Sequence, residues 1–219
     1  MSPTKSPAIR TAWVPATRLV GWVERFGLSH GTPVLTETDP LSALHITTPD
    51  GTSALLTPPW PVDGRPGRGD DALSRLTSLA SQSRTVAVLL IRRGGYAVGI
   101  CRDGKVIASK VGSRYVQSRT AAGGWSQQRF ARRRANQADA MIEAVAGHAA
   151  LLPADGVEYV LLGGDRTMAS LLIDEPVLHR LAKLNQLEFM DVPDPKAKTL
   201  AEVAERVRSI RITVTDSVT

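Results

Sequence analysis

Residues 85–114 read TVAVLLIRRGGYAVGICRDGKVIASKVGSR, and the fold turns on how this stretch is divided. Three runs rich in β-branched and apolar residues, TVAVLLIRR (85–93), YAVGICR (96–102) and KVIASKVGSR (105–114), are each long enough for a strand. Gly94-Gly95 and Asp103-Gly104 stand between them, dipeptides that accept the positive φ angles of tight hairpins. The spacing predicts three meandering strands.

The period then changes. From about Gln127 to Leu151, Phe130, Ala138, Ile142, Val145 and Ala149 keep one apolar stripe, while Arg129, Arg132, Arg133 and Asn136 keep a separate polar one, which predicts a long helix. VEYVLLGG (157–164) reads as a buried strand, followed by a helix through 166–173 and a short strand near 187–190. Leu200, Val203, Ala204 and Val207 mark a last amphipathic helix, and RSIRITV (208–214) a last strand. Three strands, a long helix, then alternating strands and helices predict an α/β fold. Its type is a mixed-sheet ribonuclease-H-like sandwich more than a doubly wound Rossmann sheet. Nucleases of that architecture need a first-strand carboxylate to hold a divalent metal. TVAVLLIRR has none, which disfavours a metal-dependent nuclease.

Upstream, ATRLVGWVERFGL (16–28) has helical spacing, and LSALHITT and TSALLT flank Pro49-Asp50-Gly51 as a hairpin. PPWPVDGRPGRGDD (58–71) is rich in Pro and Gly and reads as a linker or surface loop, with a short helix around 71–82 after it. The expected division is therefore a small N-terminal α+β segment over 1–57, a linker over 58–71 and a larger domain over 72–219.

The chain has 219 residues, 42% of them hydrophobic and 22% charged, so it can bury a core. It has no apolar run of membrane-spanning length, and MSPTKSPAIRTAW lacks the apolar segment of a signal peptide. Cys101 is the one cysteine, so no intrachain disulfide forms, which suits a reducing cytoplasm. His30, His45, His148 and His179 show no metal-ligand spacing. Neither a metal nor an organic cofactor is expected.

The net charge of +6 is concentrated. Gly104 to Ala138 holds eight cations (Lys105, Lys110, Arg114, Arg119, Arg129, Arg132, Arg133 and Arg134) and no acid, so the remainder of the chain is net −2. One basic block is the footprint of a polyanion partner. The plain alternative is a solvated basic face.

Other constellations carry less. Gly163-Gly164 before a helix could present N–H groups to a phosphate, but Asp165 in the capping position would satisfy those donors itself. Asp103 belongs to a turn, Asp139 and Glu143 are a helical turn apart, and Asp191 and Asp194 lie in a Pro-rich stretch. No acid/base pair and no G-x-S-x-G motif supports conventional hydrolase chemistry.

Inside the basic block stands TAAGGWSQQ (120–128). Gly123 and Gly124 give a small, permissive backbone able to enter a narrow cavity lined by RNA. Trp125 is a base-stacking surface or a hydrophobic anchor. Gln127 and Gln128 are neutral amides that cannot act as general bases near pH 7, yet an amide can orient water against an ester carbonyl by positioning alone. The arginines beyond would hold phosphates. With small residues and no apolar periodicity, 118–126 is expected to order only against RNA.

SRYVQSRTAAGGWSQQRFARRRANQA (113–138) resembles the signature of the Vms-like release factors, and most closely the actinobacterial branch described as peptidyl-tRNA hydrolases. These are relatives of the catalytic domain of eukaryotic and archaeal class I release factors. The resemblance extends over most of the chain from about residue 70 and makes 72–219 the catalytic domain. It implies hydrolysis of the ester joining nascent peptide to tRNA on a large ribosomal subunit. A cytoplasmic monomer that contacts ribosomal RNA and peptidyl-tRNA, with no membrane partner, is expected. Release factors proper carry Gly-Gly-Gln. Here Trp125 and Ser126 separate Gly124 from the glutamine, closer to the Gly-Gly-Ser-Gln form of the Vms relatives. The catalytic role carries over to Gln127, with Gln128 as the alternative register; the basic block itself leads to RNA binding being expected at Arg114, Arg119, Arg129, Arg132, Arg133 and Arg134. The competing reading is a non-catalytic RNA- or ribosome-binding module using the same arginines.

Overall fold

The computed structural model describes residues 8–38, 43–113 and 125–217. They fall into two compact units, Met1–Gln82 with Arg206–Thr219, and Ser83–Glu205.

The second unit is built on a mixed sheet. Its strands are β5 (Thr85–Arg92), β6 (Gly95–Arg102), β7 (Lys105–Ser113), β8 (Tyr159–Gly164) and the two-residue β9 (Asn185–Gln186). Their order across the sheet is β7-β6-β5-β8-β9. β5, β6 and β7 pair antiparallel, as the hairpin turns demand, and β8 and β9 continue the sheet in parallel. That is the ribonuclease-H-like order expected from the sequence. Asp103 takes φ 52 and Gly104 φ 79, the left-handed pair of a tight hairpin.

Alternation along the strands assigns the two faces. Ala87, Leu89, Ile91, Val98, Ile100, Val160 and Leu162 share a core with α3 (Trp125–Ala150), α4 (Arg166–Ile173) and the helical turns at 176–182, numbered α5 at His179–Ala182. On the opposite face α6 (Ala197–Arg206) approaches so closely that a Cβ on Gly99 would lie 2.9 Å from the Leu200 side chain. β5 is buried on both faces, which is why its sequence is apolar without alternation. Arg84, fully buried at the foot of β5, is paired with Glu158 at 3.0 Å.

The first unit is an antiparallel sheet in the order β1-β10-β4-β3-β2. Its strands are β1 (Ile9–Val14), β2 (Val34–Thr38), β3 (Ala43–Thr47), β4 (Ser53–Thr57) and β10 (Ile210–Thr215). α1 (Ala16–His30) and α2 (Ala72–Ala80) cover one face, where Leu19, Val23, Phe26, Leu76 and Ala80 meet Leu44, Ile46, Leu56 and Ile212.

This differs from the division expected at 57/58 and 71/72. β10 pairs with β1 and β4, so the C-terminal strand belongs to the N-terminal sheet, and α2 packs in the same core. The Pro/Gly stretch is also less of a spacer than its composition suggests. Trp60 is only 3% exposed, Gln82 donates to the Arg65 carbonyl at 2.8 Å, and Gly67 sits where a Cβ would collide with the Arg75 carbonyl. β1 and β2 went unpredicted because both are edge strands, exposed along most of their length, and lack the alternating apolar pattern.

The β3–β4 turn is held by one carboxylate. Asp50 accepts from the Thr52 amide at 2.9 Å and the Thr48 hydroxyl at 2.8 Å, and meets His30 Nδ1 at 2.8 Å. The Thr52 amide first, then His30 and Thr48, hold its carboxyl well below the usual carboxylate range. A depressed native pKa adds stability above the ordinary carboxylate value and loses it as pH falls toward the native one. Asp50→Asn should therefore lower the urea midpoint at pH 7. Measured in steps below about pH 4, the wild-type midpoint should fall more steeply and approach that of the variant.

Gly164 ends β8 with φ +98, and a Cβ there would stand 2.3 Å from the Ile91 carbonyl oxygen. Gly164→Ala should cost about 2 kcal/mol or more, read as a shift in chemical-denaturation midpoint, since backbone strain and a backbone clash add.

Candidate functional site

β5 and β7 both run antiparallel to β6, so they point the same way, and Ser113 at the end of β7 pairs with Gly95, beside Arg92. β8 is parallel to β5 and ends at Gly164 on that side. The chain therefore leaves the carboxyl ends of the strands when it enters 114–124. Arg114, Arg119, Gly123 and Gly124, and residues 118–124 of the stretch expected to order against RNA, lie outside the described residues.

Description resumes inside a helix. α3 starts at Trp125, two residues before the expected Gln127, so Trp125, Ser126, Gln127 and Gln128 form its first turn. That turn contains no acidic residue. The first four amide N–H groups of any helix lack an intrahelical acceptor and carry the positive end of its dipole. This end of α3 is consequently favourable to a polyanion.

α3 has 26 residues, about 39 Å at 1.5 Å per residue. Over 137–150 its buried residues are Met141, Ile142, Val145, Ala146 and Ala149. His148 adds a stack on Tyr96, ring centroids 5.6 Å apart.

Helical register carries the packed face back to the start. Eighteen residues make five full turns at 3.6 per turn, so Gln127 shares the azimuth of buried Val145 and Gln128 that of buried Ala146. By helical phase alone, Arg129 shares the azimuth of exposed Gly147, with Arg132 and Arg133 to either side of that azimuth. Arg134 falls about 20° from Met141 and Val145, on the packed azimuth.

The other constellations resolve as structural. Gly163 and Gly164 are packed against backbone, where added Cβ atoms would meet the Met190 and Ile91 carbonyl oxygens at 2.6 and 2.3 Å. The Gly164 amide donates to Met190, the Asp165 amide to Ile91, and the Asp165 carboxylate accepts from the Met168 amide at 3.1 Å. Those donors are spent on the sheet and the cap. Asp103 accepts from the Ser83 hydroxyl, Asp191 pairs with Arg92 at 2.5 Å, and Asp139 and Glu143 are exposed on α3. Burial pushes the Cys101 thiol up to about 12, so at neutral pH it offers no thiolate nucleophile. Among the described residues no group of three His, Cys, Asp or Glu side chains could hold a metal ion, and no helix is long and apolar enough to cross a membrane.

Sequence reading passed over the cations at the strands' carboxyl ends. Arg92 is tied to the Val192 carbonyl at 2.6 Å as well as to Asp191, Arg93 is exposed in the hairpin, and Arg166 lies over the Phe189 ring at 4.2 Å. The signal was the Arg-Arg pair before Gly94, which places charge at the end from which 114–124 departs.

Comparison with known proteins bears on this arrangement. Among solved structures the chain is similar to an archaeal translation termination factor, aRF1, at 14% identity and TM-score 0.43, over 94% of this chain and 68% of that one. A second, described as an archaeal protein, matches at 12% identity and TM-score 0.33, over 94% and 70%. No curated protein matches. The model of the Actinobacteria/chloroflexi VLRF1 release factor family matches residues 84–213, more than half of the chain, from the foot of β5 into β10. The chain belongs to that release-factor family.

Proposed function

We propose that this protein is a peptidyl-tRNA hydrolase acting on stalled large-subunit complexes in ribosome rescue and quality control. The observation that carries the reading is α3. Gln127 stands in the acid-free first turn of this helix, in a chain of the release-factor family. A neutral glutamine there would position a water against the ester carbonyl. Gly123 and Gly124 would let the preceding backbone approach the ester, with Trp125 and Ser126 between. RNA around the ester would supply the electrostatic stabilisation, which leaves the protein a positioning task. Arg129, Arg132 and Arg133, on one helical face, would meet ribosomal RNA or tRNA phosphates. Arg114, Arg119 and Arg134 would add contacts around the same end. The partners under this reading are the large subunit and peptidyl-tRNA, met by a monomer in the cytoplasm.

Gln127→Ala should lower peptide release from purified peptidyl-tRNA–50S complexes by about a hundredfold or more, the upper range for one positioning group, with subunit binding little changed. Full activity in Gln127→Ala with loss in Gln128→Ala would move the role to Gln128. Activity in both would end the glutamine mechanism and leave a binding module.

Changing Arg129, Arg132 and Arg133 together to glutamine should leave the melting temperature within a few degrees of wild type. Affinity for the same complex should fall, and the log–log salt slope should flatten by roughly two to three if each arginine replaces about one counterion. An unaltered slope would remove these arginines from the interface.

A further inference from the structure

The sheet of the first unit has a second face that no helix of that unit's core covers. Leu44, Ile46, Ala54, Leu56, Ile210 and Ile212 point to the helical side. Alternation gives each of the five strands three positions on the other side, fifteen in all. Seven of these are threonine and one is serine, and among them only Ala43 is buried.

The composition is unusual for a merely solvated face. Surfaces normally mix both signs of charge at about a quarter to a third of positions. These fifteen positions hold one fixed charge, Arg211, and no Asp or Glu. The face therefore presents hydroxyl donors without a strand carboxylate to repel an anion.

Its tryptophan lies next to its arginine. Trp13 on β1 is directly across from Arg211 on β10, and Arg211 from Thr57 on β4. The Arg206 guanidinium is layered over the Trp13 ring, 4.3 Å from its centroid. Beside this stack, Thr11, Thr213 and the 40% exposed Leu55 stand in one cross-strand row. A nucleobase can extend such an indole–guanidinium stack, because every base offers a π-face. Hydroxyls spaced at strand and ladder intervals meet phosphates and 2′-hydroxyls.

We propose that this open sheet face is a second RNA-binding surface, which takes a single-stranded RNA segment with a base on the Trp13–Arg206 stack and the sugar–phosphate backbone across Thr11, Thr213 and Thr57. The proposal is independent of the role given to Gln127.

The test uses the full chain carrying Arg129→Gln, Arg132→Gln and Arg133→Gln, which weakens the α3 contribution, and a fluorescently labelled twelve-nucleotide RNA of mixed sequence. This background should still bind. Adding Thr11→Glu and Thr213→Glu should weaken binding by about tenfold or more, while Thr213→Lys should tighten it a few-fold. Thermal melts establish that each variant is folded, and Thr57→Glu against Thr57→Lys repeats the comparison on β4 should the first pair fail to fold. The proposal is overturned by a background that binds no RNA, by glutamate variants within twofold of it, or by lysine variants that weaken binding as much as glutamate. Loss of large-subunit binding with free-RNA affinity unchanged also overturns it, and assigns the face to a protein partner.

Discussion

The arrangement of the second unit depends on one contact: the seat of α3 on the sheet. Met141, Ile142, Val145, Ala146 and Ala149 lock the last turns of the helix against β5, β6 and β8. A helix is stiff and its residues advance by fixed angle and rise, so anchoring one end fixes direction and azimuth at the other. Each buried aliphatic side chain in this stripe is worth about 1.5–3 kcal/mol. That is ample to hold the register, since several act together. The residues proposed to do the chemistry take their azimuth from the helix. They inherit it from apolar residues five turns away.

Three glycine pairs illustrate how the same dipeptide serves different ends. Of Gly94-Gly95, Gly94 forms the β5–β6 turn with Arg93, and Gly95 opens β6 opposite Arg92. Gly163-Gly164 lets β8 press against the Met190 and Ile91 carbonyls, and its neighbour Asp165 caps α4, so the apparent phosphate cradle is occupied by the protein's own backbone. Gly123-Gly124, in the acid-free segment before α3, is the pair for which no such packing demand could be read from the sequence. What distinguishes them is the company each keeps: a hairpin, a buried strand end with an acid, or a run of arginine and glutamine.

Most of the second unit was legible because its signals are local. Hairpin turns at 93–94, one residue before the expected pair, and at 103–104, an unbroken apolar strand at 85–92 and a long amphipathic helix leave few topologies open. The register of α3 also came through, because the spacing of Ile142, Val145 and Ala149 sets the azimuth of every other residue on it. Two things could not be read. Long-range pairing of β10 with β1 and β4 joins the two ends of the chain, and nothing local in RSIRITV states its partner. Edge strands β1 and β2 bury too little to show a period. The helical start at Trp125 was missed for a related reason: WSQQ has no capping residue or apolar repeat to announce a first turn.

The central claim is that the buried stripe of α3 sets the phase at which Gln127 is presented. Peptide release from peptidyl-tRNA–50S complexes should be measured for chains with extra alanines between Gln137 and Ala138. One alanine rotates the start of the helix by about 100° and extends it by about 1.5 Å, whereas four rotate it by only about 40° while extending it by about 6 Å. The account predicts near-complete loss of release for the single insertion, greater retention for the fourfold one, and unchanged melting temperatures for both. Equal activity in all three chains, or loss that simply grows with inserted length, would contradict it.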